Sequence, residues 1–70
     1  MNTGLIGLNA GSVWGALNEA ESLGAKQLKK VAKIKNDKEL FAALGWLARE
    51  GKVEFSESED GKELIVSLVR

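Results

Sequence analysis

Seventy residues make one small domain, expected to span residues 1–70, and a chain this short buries only a modest share of its surface, so packing and association must supply its stability. No cysteine is present to staple the fold or bind metal through thiolate. No histidine is present to act as the commonest general base or zinc ligand, so the residues point away from an enzyme and imply no cofactor or metal.

Ten basic and ten acidic residues cancel, so this is not a polycation drawn to nucleic acid in bulk. Their distribution says more. Lys26, Lys29, Lys30, Lys33, Lys35 and Lys38 gather in one stretch, opposed there only by Asp37, whereas Glu50, Glu54, Glu57, Glu59, Asp60 and Glu63 crowd the hairpin region from residue 50 to 63 with only Lys52 and Lys62. The domain is electrically dipolar.

The first helix has Ile6, Ala10, Val13, Leu17 and Ala20 on one stripe, with Trp14 at its flank. Gly7, Gly11 and Gly15 fall together on the other side, spaced so that another backbone could approach closely. Interior glycines cost about 1 kcal/mol each relative to alanine. The expected arrangement is therefore a regular helix starting only at Asn9 as N-cap, with Gly4 and Gly7 in a loose arm. The segment from Met1 to Asn18 carries no charged side chain. It lacks a basic leader and is broken by Asn2, Thr3, Asn9 and Ser12, which argues against a signal peptide or membrane span and for a cytoplasmic protein.

Glu21, Ser22 and Leu23 leave room for a turn or a single bridge to a sheet. Gly24 can cap a second helix over Ala25–Lys33, whose buried side is Leu28, Val31 and Ala32 and whose lysines point outward. Asn36 followed by Glu39 has capping-box spacing and opens a third helix. Leu40, Ala43, Leu44 and Leu47 form its core stripe, with Phe41 and Ala48 at one edge. Lys38, Ala42, Gly45, Trp46 and Arg49 lie opposite, and Gly51 ends the helix as its C′ residue.

Val53 and Phe55 alternate with Lys52, Glu54 and Ser56, as in a strand buried on one face. After an Asp60-Gly61 turn, Leu64, Val66 and Leu68 alternate with Ile65, Ser67 and Val69, so the last strand is apolar on both faces. A two-stranded wing has nothing of its own to cover Ile65 and Val69. The first helix, the short link or a second subunit must reach them.

Helix, turn, helix and hairpin is the order of an α+β winged helix-turn-helix with three helices and a C-terminal β-hairpin wing. Two segments strengthen that assignment: Ala10-Gly11-Ser12-Val13-Trp14-Gly15-Ala16-Leu17-Asn18, and the run from Leu40 to Val53 containing Leu44-Gly45-Trp46-Leu47. Through them the chain resembles the small bacterial winged helix-turn-helix domains of unknown function over nearly its whole length. The resemblance implies the fold and homodimerisation, and carries over no functional residue.

In such a motif the helix after the turn enters the major groove. That makes double-stranded DNA the expected partner, with Lys35, Asn36, Lys38 and Arg49 facing it and Lys26, Lys29, Lys30 and Lys33 at phosphates, in a transcription- or nucleoid-associated role. Asn36 has a competing use as a cap. The acidic tip from Glu57 to Asp60 would repel phosphates, and Ala42, Gly45 and Trp46 offer one indole donor between them. The alternative is a winged helix that serves protein contacts or dimerisation, with Trp46, Ile65 and Val69 as its interface.

Overall fold

The computed structural model describes residues 1–69. Its elements are α1 (Thr3–Ala20), β1 (Ser22–Gly24), α2 (Ala25–Val31), α3 (Asp37–Arg49), β2 (Val53–Glu57) and β3 (Leu64–Leu68). The three helices and a three-stranded antiparallel sheet make the α+β winged helix-turn-helix that the element order implies.

The expected start of α1 at Asn9 is overturned. Asn2 is the N-cap, its side-chain oxygen accepting from the Leu5 N–H at 2.8 Å, and the helix runs unbroken through Gly4, Gly7, Gly11 and Gly15. An N-cap with a good side-chain acceptor contributes about 1 kcal/mol, and Ala10, Val13 and Leu17 bury against the rest of the domain. Those gains hold the helix across glycines that disfavour it. Ala20, expected on the buried stripe, is exposed at the last turn, where Glu21 enters the left-handed region with φ 68°.

The short link does more than turn. Ser22–Gly24 pairs with β3 in the register Ser22↔Ser67, Leu23↔Val66 and Gly24↔Ile65, while β2 pairs with its other edge from Val53↔Leu68 to Glu57↔Leu64. The strand order is β1-β3-β2. The expected two-stranded wing is thus a three-stranded sheet, and its doubly apolar strand is the central one. Leu23, Val66, Val53, Leu64 and Leu68 supply the helix-facing side. Ile65 and Val69 stand on the reverse, beside the facing hydroxyls of Ser22 and Ser67 (Oγ to Oγ 3.2 Å). Ile65 is half-buried and Val69 remains exposed.

The core joins Ala10, Val13 and Leu17 of α1, Leu28 of α2, Leu40, Ala43, Leu44 and Leu47 of α3, and Val53 and Val66 of the sheet. Leu17, Leu28, Leu40, Leu44, Val13 and Val66 are fully enclosed; each such side chain contributes about 1.5–3 kcal/mol by leaving water. Phe55, expected beside Val53 on the buried face, is largely exposed, because β2 is an edge strand that carries it out along the wing. Phe41, placed at the edge of the α3 stripe, is exposed as well.

Candidate nucleic-acid interface

The turn between α2 and α3 is built by two local devices. At the end of α2 the chain closes with a Schellman pair: the Lys33 N–H donates to the Lys30 carbonyl (3.2 Å) and the Ile34 N–H to the Lys29 carbonyl (3.0 Å). This requires a left-handed residue at C′, and Lys33 takes it with φ 58°. The following Ile34 is then folded under, 7% exposed, into the core. Val31, expected to be buried, is 48% exposed, since the seven-residue α2 directs Leu28 inward and the turn brings in Ile34 from beyond the helix.

Two residues further on, Asn36 opens α3. Its Oδ1 accepts from the Glu39 N–H at 2.9 Å, and its Nδ2 donates to the Glu39 carboxylate at 3.2 Å. Both ends of the Asn36 amide are therefore engaged within the protein. Asp37 and Glu39 in the first turn of α3 complement its positive end.

Around these devices Lys26, Lys30, Lys33, Lys35 and Lys38 are exposed and Lys29 is half-buried. Lys26, Lys29 and Lys30 line a concave region of about 380 Å³ with Ile34 and Asp37. Lys29 is paired with Asp37 at 3.1 Å, a contact in solvent worth about 0–1 kcal/mol. Among the described residues Lys26, Lys30, Lys33, Lys35 and Lys38 make no ion pair. Lys33 and Lys35 project from the turn and Lys38 from the start of α3. Arg49 is apart from them, at the other end of α3 and roughly 16 Å along its axis from Lys38.

The wing presents the opposite charge from a hydrogen-bonded tip. The Gly61 N–H donates to the Ser58 carbonyl (2.8 Å) with Gly61 at φ 72°, and the Ser58 N–H donates to the Glu63 carbonyl (2.9 Å). Asp60 Oδ1 accepts from the Ser58 hydroxyl (2.6 Å) and the Lys62 N–H (3.0 Å). The Ser58 hydroxyl bond first, then the Lys62 N–H, hold the Asp60 carboxyl below the usual aspartate range. Glu57, Glu59 and Asp60 are all exposed.

A second groove, of about 270 Å³, separates α3 from the wing and is lined by Phe41, Leu64, Lys26, Lys62 and Glu63 among others. It brings Lys62 of the wing to the same side as Lys26 of α2, an association that sequence reasoning missed because it depends on how the hairpin folds back. The Glu63 carboxylate lies against Gly24, where any Cβ would overlap it.

Trp46, Ile65 and Val69 are not brought together. Trp46, 38% exposed, sits in a groove on the α1–α3 side with Gly7, Gly11 and Trp14. The Trp46 ring lies beside Gly7 of α1, where an added Cβ would stand 3.9 Å from it, an ordinary van der Waals contact. Ile65 and Val69 belong to the reverse face of the sheet. Among the described residues no polar or charged side chain is buried, and no helix is long and apolar enough to cross a membrane.

Comparison with the curated proteins finds no match for this chain. The family described as a winged helix-turn-helix domain (DUF2582) matches residues 1–68, and with the helix-turn-helix and sheet described above in place, the chain belongs to that family.

Proposed function

We propose that the protein binds double-stranded DNA through α2, the α2–α3 turn and the start of α3, in a transcription- or nucleoid-associated role inside a bacterial cytoplasm. The observation that carries this reading is the segregation of charge: among the described residues five lysines that make no ion pair surround the helix-turn-helix, against Asp37 and Glu39 there, while Glu54, Glu57, Glu59, Asp60 and Glu63 stand on the wing. Lys26, Lys30 and Lys33 are placed as phosphate contacts, with Lys29 a weaker one because Asp37 holds it. Lys35 and Lys38 lie nearest base edges. Asn36 serves as a cap, and Arg49 reaches phosphate at the far end of α3 if the helix lies along the groove. The acidic wing keeps clear of the duplex, in contrast with wings that add backbone contacts.

Fluorescence anisotropy of a labelled mixed-sequence duplex tests the proposal. Five phosphate contacts give a log–log salt slope of about −4.5, so raising salt from about 50 to about 200 mM should weaken binding roughly 500-fold. Lys26→Glu/Lys30→Glu should abolish it while the circular dichroism spectrum stays unchanged. The half-exposed Trp46 and the acidic wing favour a second reading, a module for protein contacts. No binding at about 50 mM salt and tens of micromolar protein, far above specific affinities, would make that the better one.

A further inference from the structure

The outer edge of the wing carries a row of backbone groups that the domain itself does not use. β3 lies between β1 and β2, which leaves β2 at the edge of the sheet. The Ser58 N–H donates to the Glu63 carbonyl and the Val69 N–H to the Lys52 carbonyl. Hydrogen-bonded pairs recur at every second residue of an antiparallel ladder, so Glu54 and Ser56 between them also turn their main-chain groups toward β3. Val53, Phe55 and Glu57 turn theirs outward. The register from Val53↔Leu68 to Glu57↔Leu64 is unbroken by a bulge, and the chain has no proline. Edges are commonly blunted by lysine, proline or a bulge; β2 has none of these. Phe55, opposite the fully buried Val66, is itself 45% exposed.

The charge beside this edge is of one sign. Glu54, Glu57, Glu59 and Asp60 are exposed on the wing. The nearby cations are turned elsewhere: the Lys52 ammonium stands 5.7 Å over the Trp14 ring, and Lys62 lines the groove shared with Lys26. Phosphate is repelled from such an edge. Two copies meeting there would bring their carboxylates together, and like charges across a strand pair oppose pairing. We infer that β2 is a docking edge for an extended, cationic peptide segment of a partner protein, which adds to the sheet as a fourth strand. Main-chain bonds to Phe55 and Glu57 supply affinity, and alternate side chains supply selectivity. In the antiparallel register the partner places basic residues opposite Glu57 and Glu54 and an apolar one opposite Phe55. Read from its own N-terminus, that pattern is basic, polar, apolar, basic, apolar.

The probe is a capped peptide containing Lys-Thr-Ile-Lys-Val, titrated to about 1 mM, the weak end of specific binding, into the whole 15N-labelled chain. The amide resonances of Phe55 and Glu57 should move and gain protection from exchange. N-methylation of the isoleucine amide, which would face Phe55, should weaken binding about tenfold or more, the cost of a lost hydrogen bond. N-methylation of the threonine amide, which faces away, should leave it unchanged. Glu57→Pro removes an outward N–H without touching the β2–β3 ladder and should abolish binding, whereas Glu57→Gln should weaken it only a few-fold. Lys26→Glu/Lys30→Glu should bind the peptide as the wild type does, so failure here and failure of the DNA reading are separable. The inference is overturned by no binding at about 1 mM peptide, or by equal loss from both N-methylated peptides. It is equally overturned if the isoleucine-methylated peptide binds undiminished, which means attraction by charge alone, or if Phe55 and Glu57 shift with protein concentration before peptide is added, which means that a second copy takes the edge.

Discussion

Replacing Lys33 by glycine should stabilise the domain. An L-residue in the left-handed region costs about 1–2 kcal/mol, and Lys33 is held there with φ 58° by the Schellman pair that ends α2. Glycine removes that strain and keeps both backbone bonds, but it gives back about 0.4–1 kcal/mol through the greater freedom of the unfolded chain. The net gain is about 0.5–1 kcal/mol, or roughly 4 °C in Tm for a domain of this size. The corresponding position after α3 is already glycine: Gly51 has φ 72°, with its N–H on the Ala48 carbonyl and the Lys52 N–H on the Leu47 carbonyl. Gly51→Ala should therefore lose about 1 kcal/mol by the same physics in reverse. Thermal and urea unfolding followed by circular dichroism measures both. Lys33→Ala separates charge from backbone, since it removes the ammonium and keeps the Cβ, and it should leave stability within about 0.5 kcal/mol of the wild type. A Lys33→Gly chain no more stable than Lys33→Ala would refute the argument that backbone strain at this turn is a cost carried by the fold.

Three further outcomes follow from the same geometry. Asn36→Ala removes the acceptor for the Glu39 N–H and the partner of its carboxylate; urea unfolding should show a loss of about 1 kcal/mol, within the usual range for N-caps. Leu28→Ala opens a cavity beneath the only fully buried residue of α2 and should cost about 3–5 kcal/mol. A chain of this length has about 3.5–10 kcal/mol to lose, so scanning calorimetry should find it unfolded or nearly so near room temperature. Ser58→Ala deletes the principal hydrogen bond to Asp60, and its carboxyl pKa, followed by carbon-detected NMR, should rise toward the ordinary aspartate value. Because the folded pKa is the lower one, the stabilisation linked to Asp60 is complete above the ordinary range and is lost as pH falls through the folded value. Wild type and Ser58→Ala should accordingly differ in stability at neutral pH and converge in strong acid.

Much of the fold was legible in the chain because its signals are local. Asn36 with Glu39, Gly51 after Arg49, the alternation from Val53 and from Leu64, and Asp60-Gly61 each act within a few residues. Hydrogen bonds of that range are selected by residue type alone. The charge segregation is likewise a property of sequence, since side chains on the exposed faces of short elements stay where the helical and strand periods put them.

Tertiary structure decided what depends on distant partners. Ser22–Gly24 carries no strand signature, and it is extended because β3, more than forty residues later, offers an edge to pair with. That pairing turns a doubly apolar strand from a liability into the centre of a sheet. Asn2 could cap α1 across four glycines only because Ala10, Val13 and Leu17 find a core to enter. Ile34 replaces Val31 inside because the left-handed turn at Lys33 redirects the chain. Trp46 parts from Ile65 and Val69 because it lies in the groove between α1 and α3, with Gly7, Gly11 and Trp14, whereas those two stand on the reverse face of the sheet. Periodicity assigns a residue to a face. Which face is covered, and by what, is settled by burial of apolar surface between elements far apart in the chain.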